Sequence, residues 1–102
     1  MAATNIDLDW LLGNNQGTTV EMTRLEFRDK KSNSSKFYEV HIEKCFDNKD
    51  LPYRVVAYWG RIGSKKAQMD IKGEFEDVSD ARWPVARLLS SKISKKGYVK
   101  VS

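Results

Sequence analysis

From Val20 onward apolar and polar residues alternate with a period of two, so the body of the chain begins with strands. Leu25 and Phe27 alternate with Glu26 and Arg28, whereas Val20 and Met22 fall in the other phase, which predicts a bulge or a late strand start. Residues 30–35 form a polar turn. Tyr38, Val40 and Ile42 then alternate with Phe37, Glu39, His41 and Glu43, a second strand with one apolar face. After a hairpin-type loop at Asp47-Asn48-Lys49-Asp50 and Pro52, residues 53–62 are apolar in both phases, with Tyr53, Val55, Ala57 and Trp59 on one side and Val56, Tyr58 and Ile62 on the other. Burial on both faces marks a central strand. Gly63-Ser64 turns the chain, and Ala67, Met69 and Ile71 form the apolar phase of a fourth strand.

The period then becomes helical. Ala81, Val85, Leu88, Leu89 and Ile93 share a stripe, with Arg82, Arg87, Lys92 and Lys95 largely off it. Ser79 is the expected N-cap, and Asp77 and Asp80 place negative charge at the positive end of the helix dipole. Pro84 belongs in a first turn, which argues for a start slightly later than that cap. At the other end Gly97 suits a left-handed cap, with Tyr98 placed to touch Ile93, and residues 98–101 alternate as a short last strand. The expected fold is α+β: a small antiparallel sheet with one long helix on one face, formed by residues 20–102. Residues 1–19 read as a flexible tail, with a polar linker at residues 13–17 and an acidic-apolar cluster, Asp7-Leu8-Asp9-Trp10-Leu11-Leu12, that folds back or docks on a partner.

Composition narrows the function classes. The 102 residues are 40% hydrophobic and 31% charged, suited to one folded domain with no room for a second. One Cys and one His cannot supply a structural zinc site, and no apolar run is long enough for a membrane span. No export signal opens the chain, so it is expected inside the cell, in the cytoplasm or with the DNA in nucleoid or nucleus, and the sequon at Asn33-Ser34-Ser35 is expected to go unused. The net charge of +4 is unevenly placed: residues 74–80 hold four acids and residues 81–102 six bases and no acid. Such segregation fits a polyanionic partner, or simply a solvated face.

Catalytic constellations are poor. His41 lies on the polar phase of a strand, as an exposed histidine would, and Cys45 has no identifiable activator. Gly60-Arg61-Ile62-Gly63-Ser64-Lys65-Lys66 lacks the spacing of a P-loop, and Asp47-Asn48-Lys49-Asp50 that of a calcium loop. No cofactor is expected. What survives is Trp59-Gly60-Arg61-Ile62-Gly63 at the end of the central strand. The indole offers a face for stacking on a base or sugar, Gly60 lets another backbone approach, and Arg61 is a forked phosphate donor. A turn at Gly63 would bring Lys65 and Lys66 back beside Arg61. The plain alternative is a core tryptophan with solvated lysines.

This motif, preceded by Tyr53-Arg54-Val55, with Lys36-Phe37-Tyr38-Glu39-Val40 upstream and Lys95-Lys96-Gly97-Tyr98 closing the helix, resembles the WGR domain over residues 20–102. The resemblance implies a small antiparallel sheet with a helix on one side. In DNA-dependent poly(ADP-ribose) polymerases this module contacts the end of a broken strand and helps pass that contact to a separate catalytic domain; relatives in bacteria occur alone or beside other modules. By position, Trp59 is expected on the sugar or base at a strand terminus, and Arg61 on the DNA backbone or a neighbouring domain. Ser34 and Ser35 fall where relatives carry polar residues that reach a terminal phosphate. Trp83 and Pro84 are unusual for the family's helix, and ADP-ribosylation is not expected of this chain. The candidate nucleic-acid-binding set is thus Trp59, Gly60, Arg61, Lys65, Lys66, Lys95, Lys96, Ser34 and Ser35. The expected function is that of a monomeric, non-enzymatic DNA-binding module that prefers ends or nicks with little sequence specificity. The alternative is a protein-interaction module using the basic surface or the N-terminal tail.

Overall fold

The computed structural model describes residues 4–7, 17–45 and 49–101; residues 8–12 of the acidic-apolar cluster, most of the polar linker and Asp47-Asn48 of the loop lie outside them. Among the described residues six strands, β1 (Thr4–Asp7), β2 (Gly17–Asp29), β3 (Ser34–Cys45), β4 (Tyr53–Arg61), β5 (Lys66–Phe75) and β6 (Val99–Lys100), form one sheet in the order β1-β5-β4-β3-β2-β6. All pairings are antiparallel. Within the stretch read as a tail, β1 pairs with β5 and Gly17–Thr19 opens β2. A single helix among the described residues, α1 (Val78–Lys96), packs on one face, so the α+β architecture is as expected.

Alternation decides which residues reach that helix. Leu25, Tyr38, Val40, Ile42, Val55 and Ala57 form the core beneath it with Ala81 of α1. The phase switch around Val20 is a bulge: the β2–β3 register shifts between Thr19 and Glu21. β4 is buried on both faces across Val55–Tyr58, as a central strand should be.

Several local expectations are corrected. β3 is not apolar on one face alone: Phe37 and Glu43 are buried on the helix-free side. His41 is there too, half-buried rather than exposed, with Nε2 2.9 Å from Glu39 Oε1 and Nδ1 3.2 Å from Thr19 Oγ1. β5 runs on to Phe75, past a register shift against Val55/Val56 that moves Phe75 to the helix side, so Glu74 belongs to the sheet and not to the helix entrance. The N-cap is Asp77, not Ser79; its backbone is extended and its carbonyl accepts the Ala81 N–H at 3.3 Å, which fixes the start two residues earlier. Pro84 therefore lies well inside α1, where it removes the bond that would reach the Asp80 carbonyl.

The buried stripe also differs from its reading. Ala81, Val85, Leu88 and Leu89 pack on the core, but Ile93 is 44% exposed. At about 100° per residue, position 93 has turned roughly 120° away from Ala81, whereas position 92 returns to within about 20° of it. A lysine, Lys92, thus faces the sheet in the last turns. The helix ends as expected at Gly97, whose φ of 76° favours a residue without Cβ, and the amides of Gly97 and Tyr98 turn back to the Lys92 carbonyl. Tyr98 packs on Phe27 and Tyr38, where a contact with Ile93 was expected.

Candidate nucleic-acid interface

Antiparallel register assembles the site at the end of the sheet where β2 turns into β3. Lys36 lies opposite both Phe27 and Arg61, and Tyr38 opposite both Leu25 and Trp59. Trp59 is half-buried, with its ring stacked against Tyr38 at 5.9 Å between centroids and 24° between planes. Tyr38 meets Tyr98 edge-on at 6.2 Å, and Tyr98 meets Phe27 at 5.9 Å. The result is a continuous series of rings, Phe27–Tyr98–Tyr38–Trp59. The indole is neither sealed in the core nor wholly free.

Beside this series lies a cleft of about 370 Å³ lined by Ser32 to Lys36, Trp59, Gly60, Arg61 and Tyr98. Its rim is built by a tight turn: Asp29 accepts the Lys31 N–H at 3.0 Å and the Ser32 hydroxyl at 2.9 Å, and Asn33 takes a positive φ of 51°, which Asn tolerates better than most residues. Arg61 is exposed, and its guanidinium donates one long bond, 3.3 Å, to the Asn33 carbonyl. That leaves most of its donors for a ligand. Gly60 permits a close approach, and the approaching backbone is the chain's own: a Cβ there would stand 3.3 Å from the Lys66 carbonyl oxygen and 3.4 Å from Phe37.

The cleft brings together Trp59, Gly60, Arg61, Ser34 and Ser35. Lys65 and Lys66 are exposed beyond the turn that closes with Ser64 N–H on the Arg61 carbonyl, and do not line it; neither do Lys95 and Lys96 at the end of α1. Sequence reasoning did not place Lys36, Tyr98, Ser32 and Asn33 in the site. The Lys36–Arg61 pairing follows once Tyr38 is set opposite Trp59, but nothing local in the sequence fixes that register.

Three ammonium groups stand on the rings. Lys92 Nζ is 4.6 Å from the centre of Tyr38, Lys36 Nζ 5.2 Å from Phe27, and Lys72 Nζ 5.9 Å from Trp59. Burial, followed by repulsion from Lys96, Lys72 and Lys36, pulls the Lys92 ammonium below the usual lysine range. Burial pushes the Tyr38 hydroxyl up to about 12, so it stays neutral.

A half-buried indole, an exposed guanidinium, serine hydroxyls and Lys36 meet around one open cleft of a small α+β module, a set of groups whose chemistry suits a polyanion. The WGR domain model matches residues 21–102, and the chain belongs to that family of nucleic-acid-binding modules, a binding class and not a catalytic one. No curated protein and no solved structure matches the chain. Among the described residues no helix is long and apolar enough to cross a membrane.

Proposed function

We propose that the protein is a non-catalytic DNA-binding module that takes the exposed terminus of a strand, at an end or nick, into the cleft beside Trp59. The observation that carries this reading is the cleft itself: it lies at the end of the sheet and joins a partly open indole to Arg61 and the hydroxyls of Ser34 and Ser35. An internal base pair offers neither an unstacked face nor a free phosphate to such a cleft, whereas a terminus offers both. Contacts go mainly to sugar and phosphate, so sequence preference is low.

Binding of a labelled blunt duplex, a nicked duplex and a closed circle tests the reading. The expected order places the circle last. Trp59→Ala is expected to weaken the end-bearing duplexes by about 1–3 kcal/mol, roughly 5- to 150-fold. With about four phosphates neutralised, affinity falls by roughly a hundredfold between 50 and 200 mM salt. A closed circle bound as tightly as the blunt and nicked duplexes, or an unchanged affinity for those duplexes in a folded Trp59→Ala variant, would overturn it.

A protein-docking reading draws on a different place. Trp83 is 70% exposed on the outer side of α1, beside a shallow groove of about 340 Å³ lined also by Pro84, Arg87, Leu88 and Ser91. Under that reading Trp83→Ala removes partner binding, while Trp59→Ala leaves it intact.

A further inference from the structure

The sheet-facing stripe of a surface helix is where apolar residues contribute most to stability, yet in the last turns of α1 that place is held by Lys92, over the Tyr38 ring. Lys36 approaches from β3 and Lys96 from one turn further along α1, both close enough to repel it. Among the described residues no carboxylate forms an ion pair with Lys36, Lys92 or Lys96, while Lys72, the fourth member, is paired with Asp70 at 2.9 Å. Two uncompensated cations on the rings and a third close by oppose folding; an anion relieves all three together.

We propose that Lys36 and Lys92, over the Phe27 and Tyr38 rings, together with Lys96 one turn beyond Lys92, form a phosphate-binding track that leads the nucleic-acid backbone out of the cleft toward the C-terminal end of α1. This rests on the nucleic-acid reading of the cleft and adds to it a direction. Lys36 is the junction, since it lines the cleft and also neighbours Lys92. The route leaves Lys65 and Lys66, on the opposite side of Arg61, outside the path. Lys92 is the informative member because methionine, one atom shorter and likewise unbranched, replaces its stem and suits its half-buried site. A structural lysine would weaken the fold on replacement; a lysine kept for an anion would not.

The experiment measures duplex affinity across a salt series for wild type, Lys92→Met, Lys36→Gln and the double variant Lys65→Gln/Lys66→Gln, with a melting temperature for each. On the track, Lys92→Met and Lys36→Gln each lower the salt slope by about one and weaken binding several-fold, with a melting temperature equal to or above wild type. The Lys65/Lys66 variant keeps the slope to within about half of that change. Unchanged slopes for Lys92→Met and Lys36→Gln, with binding still lost in Trp59→Ala, would overturn the track and leave the cleft reading standing. If the wild type binds no nucleic acid, the cleft reading fails and the track as a nucleic-acid path with it. Inorganic tripolyphosphate, titrated by NMR, then reports whether the lysines hold phosphate at all.

Discussion

On the helix-free face of the sheet, carboxylates and cations meet in pairs. Glu26 accepts from Arg24 and Arg28, Glu39 from Arg24 while also lying against His41, and Glu43 from Arg54 and the Tyr58 hydroxyl. On the helix side, at the end of the sheet, Lys36 and Lys92 stand over aromatic rings with Lys96 close by, without such partners among the described residues. Both faces bury polar groups against aromatics, so hydrophobicity does not separate them; apart from the Lys72–Asp70 pair beside Trp59, the pairing of charge does. Charges that serve the fold are neutralised within it. A set left unneutralised lowers stability unless the opposite charge arrives from outside.

The sharpest way to break that comparison is at Glu43, which is fully buried. Its carboxylate accepts from Arg54 Nε at 3.0 Å and from Tyr58 Oη at 2.7 Å. Arg54→Ala strands this carboxylate with one hydroxyl donor and is expected to cost about 2–4 kcal/mol, toward the lower end of the range for broken buried pairs because Arg54 itself touches water. The more exposed pairs, such as Arg28–Glu26, are screened by solvent and contribute far less. Lys36→Ala on the opposite face is expected within about 0.5 kcal/mol of wild type. Denaturant midpoints measure both; equal losses would erase the distinction between the faces.

The sequence was legible where one physical signal acted alone. Tyr38, Val40 and Ile42 alternate without interruption, so β3 and its helix-side face follow directly, and the phase switch at Val20 announces its bulge. Gly97 marks the helix end because few other residues accept its backbone conformation. It was not legible where two signals competed. The shift near Lys72 reverses the alternation of β5 and hides its last residues, and Asp77 and Ser79 are both good capping residues, separated only by which carbonyl takes the first helical bond. Glu43 reads as part of the polar phase of β3 because its pairing with Arg54 spans two strands. Within the site, Trp59, Gly60 and Arg61 are contiguous and were evident, but Lys36 and Lys92 are joined to them only by register and helix rotation.

A smaller effect sharpens the comparison at the point where α1 hands the chain to the ring series. Gly97→Ala places a Cβ 3.5 Å from Phe27 Cε2, an ordinary contact, so the penalty is the left-handed backbone alone, about 1 kcal/mol. A helix end that shifts to avoid this conformation carries Tyr98 away from Phe27 and Tyr38. The expected result is a slightly lower melting temperature together with a loss of duplex affinity larger than stability accounts for. Loss of stability alone would remove the rings from the binding surface.

The smallest expected effect lies in the response to pH, where the two faces differ in sign. Glu39 is held below the usual carboxylate range, first by its hydrogen bond with His41 and then by that from Arg24 against the opposing effect of burial, so its contribution is present above about pH 4.5 and is lost as pH falls. Lys92 is also lowered, but for a cation this means the folded protein releases its proton before the unfolded chain does. Through that window the unfolded state binds more protons and stability rises with pH, as the repulsion from Lys36, Lys72 and Lys96 is relieved. Tyr38 and Tyr58, raised chiefly by burial, act the other way from about pH 10 upward. The Lys92 contribution is therefore read as a difference between wild type and Lys92→Met, in which the tyrosines cancel. The variant is expected to gain most over wild type at neutral pH and to lose that advantage as pH approaches the lysine range, with the acid limb the same in both. A difference that is flat across the alkaline range would mean that Lys92 is not strained in the free protein, and that the two faces handle charge alike.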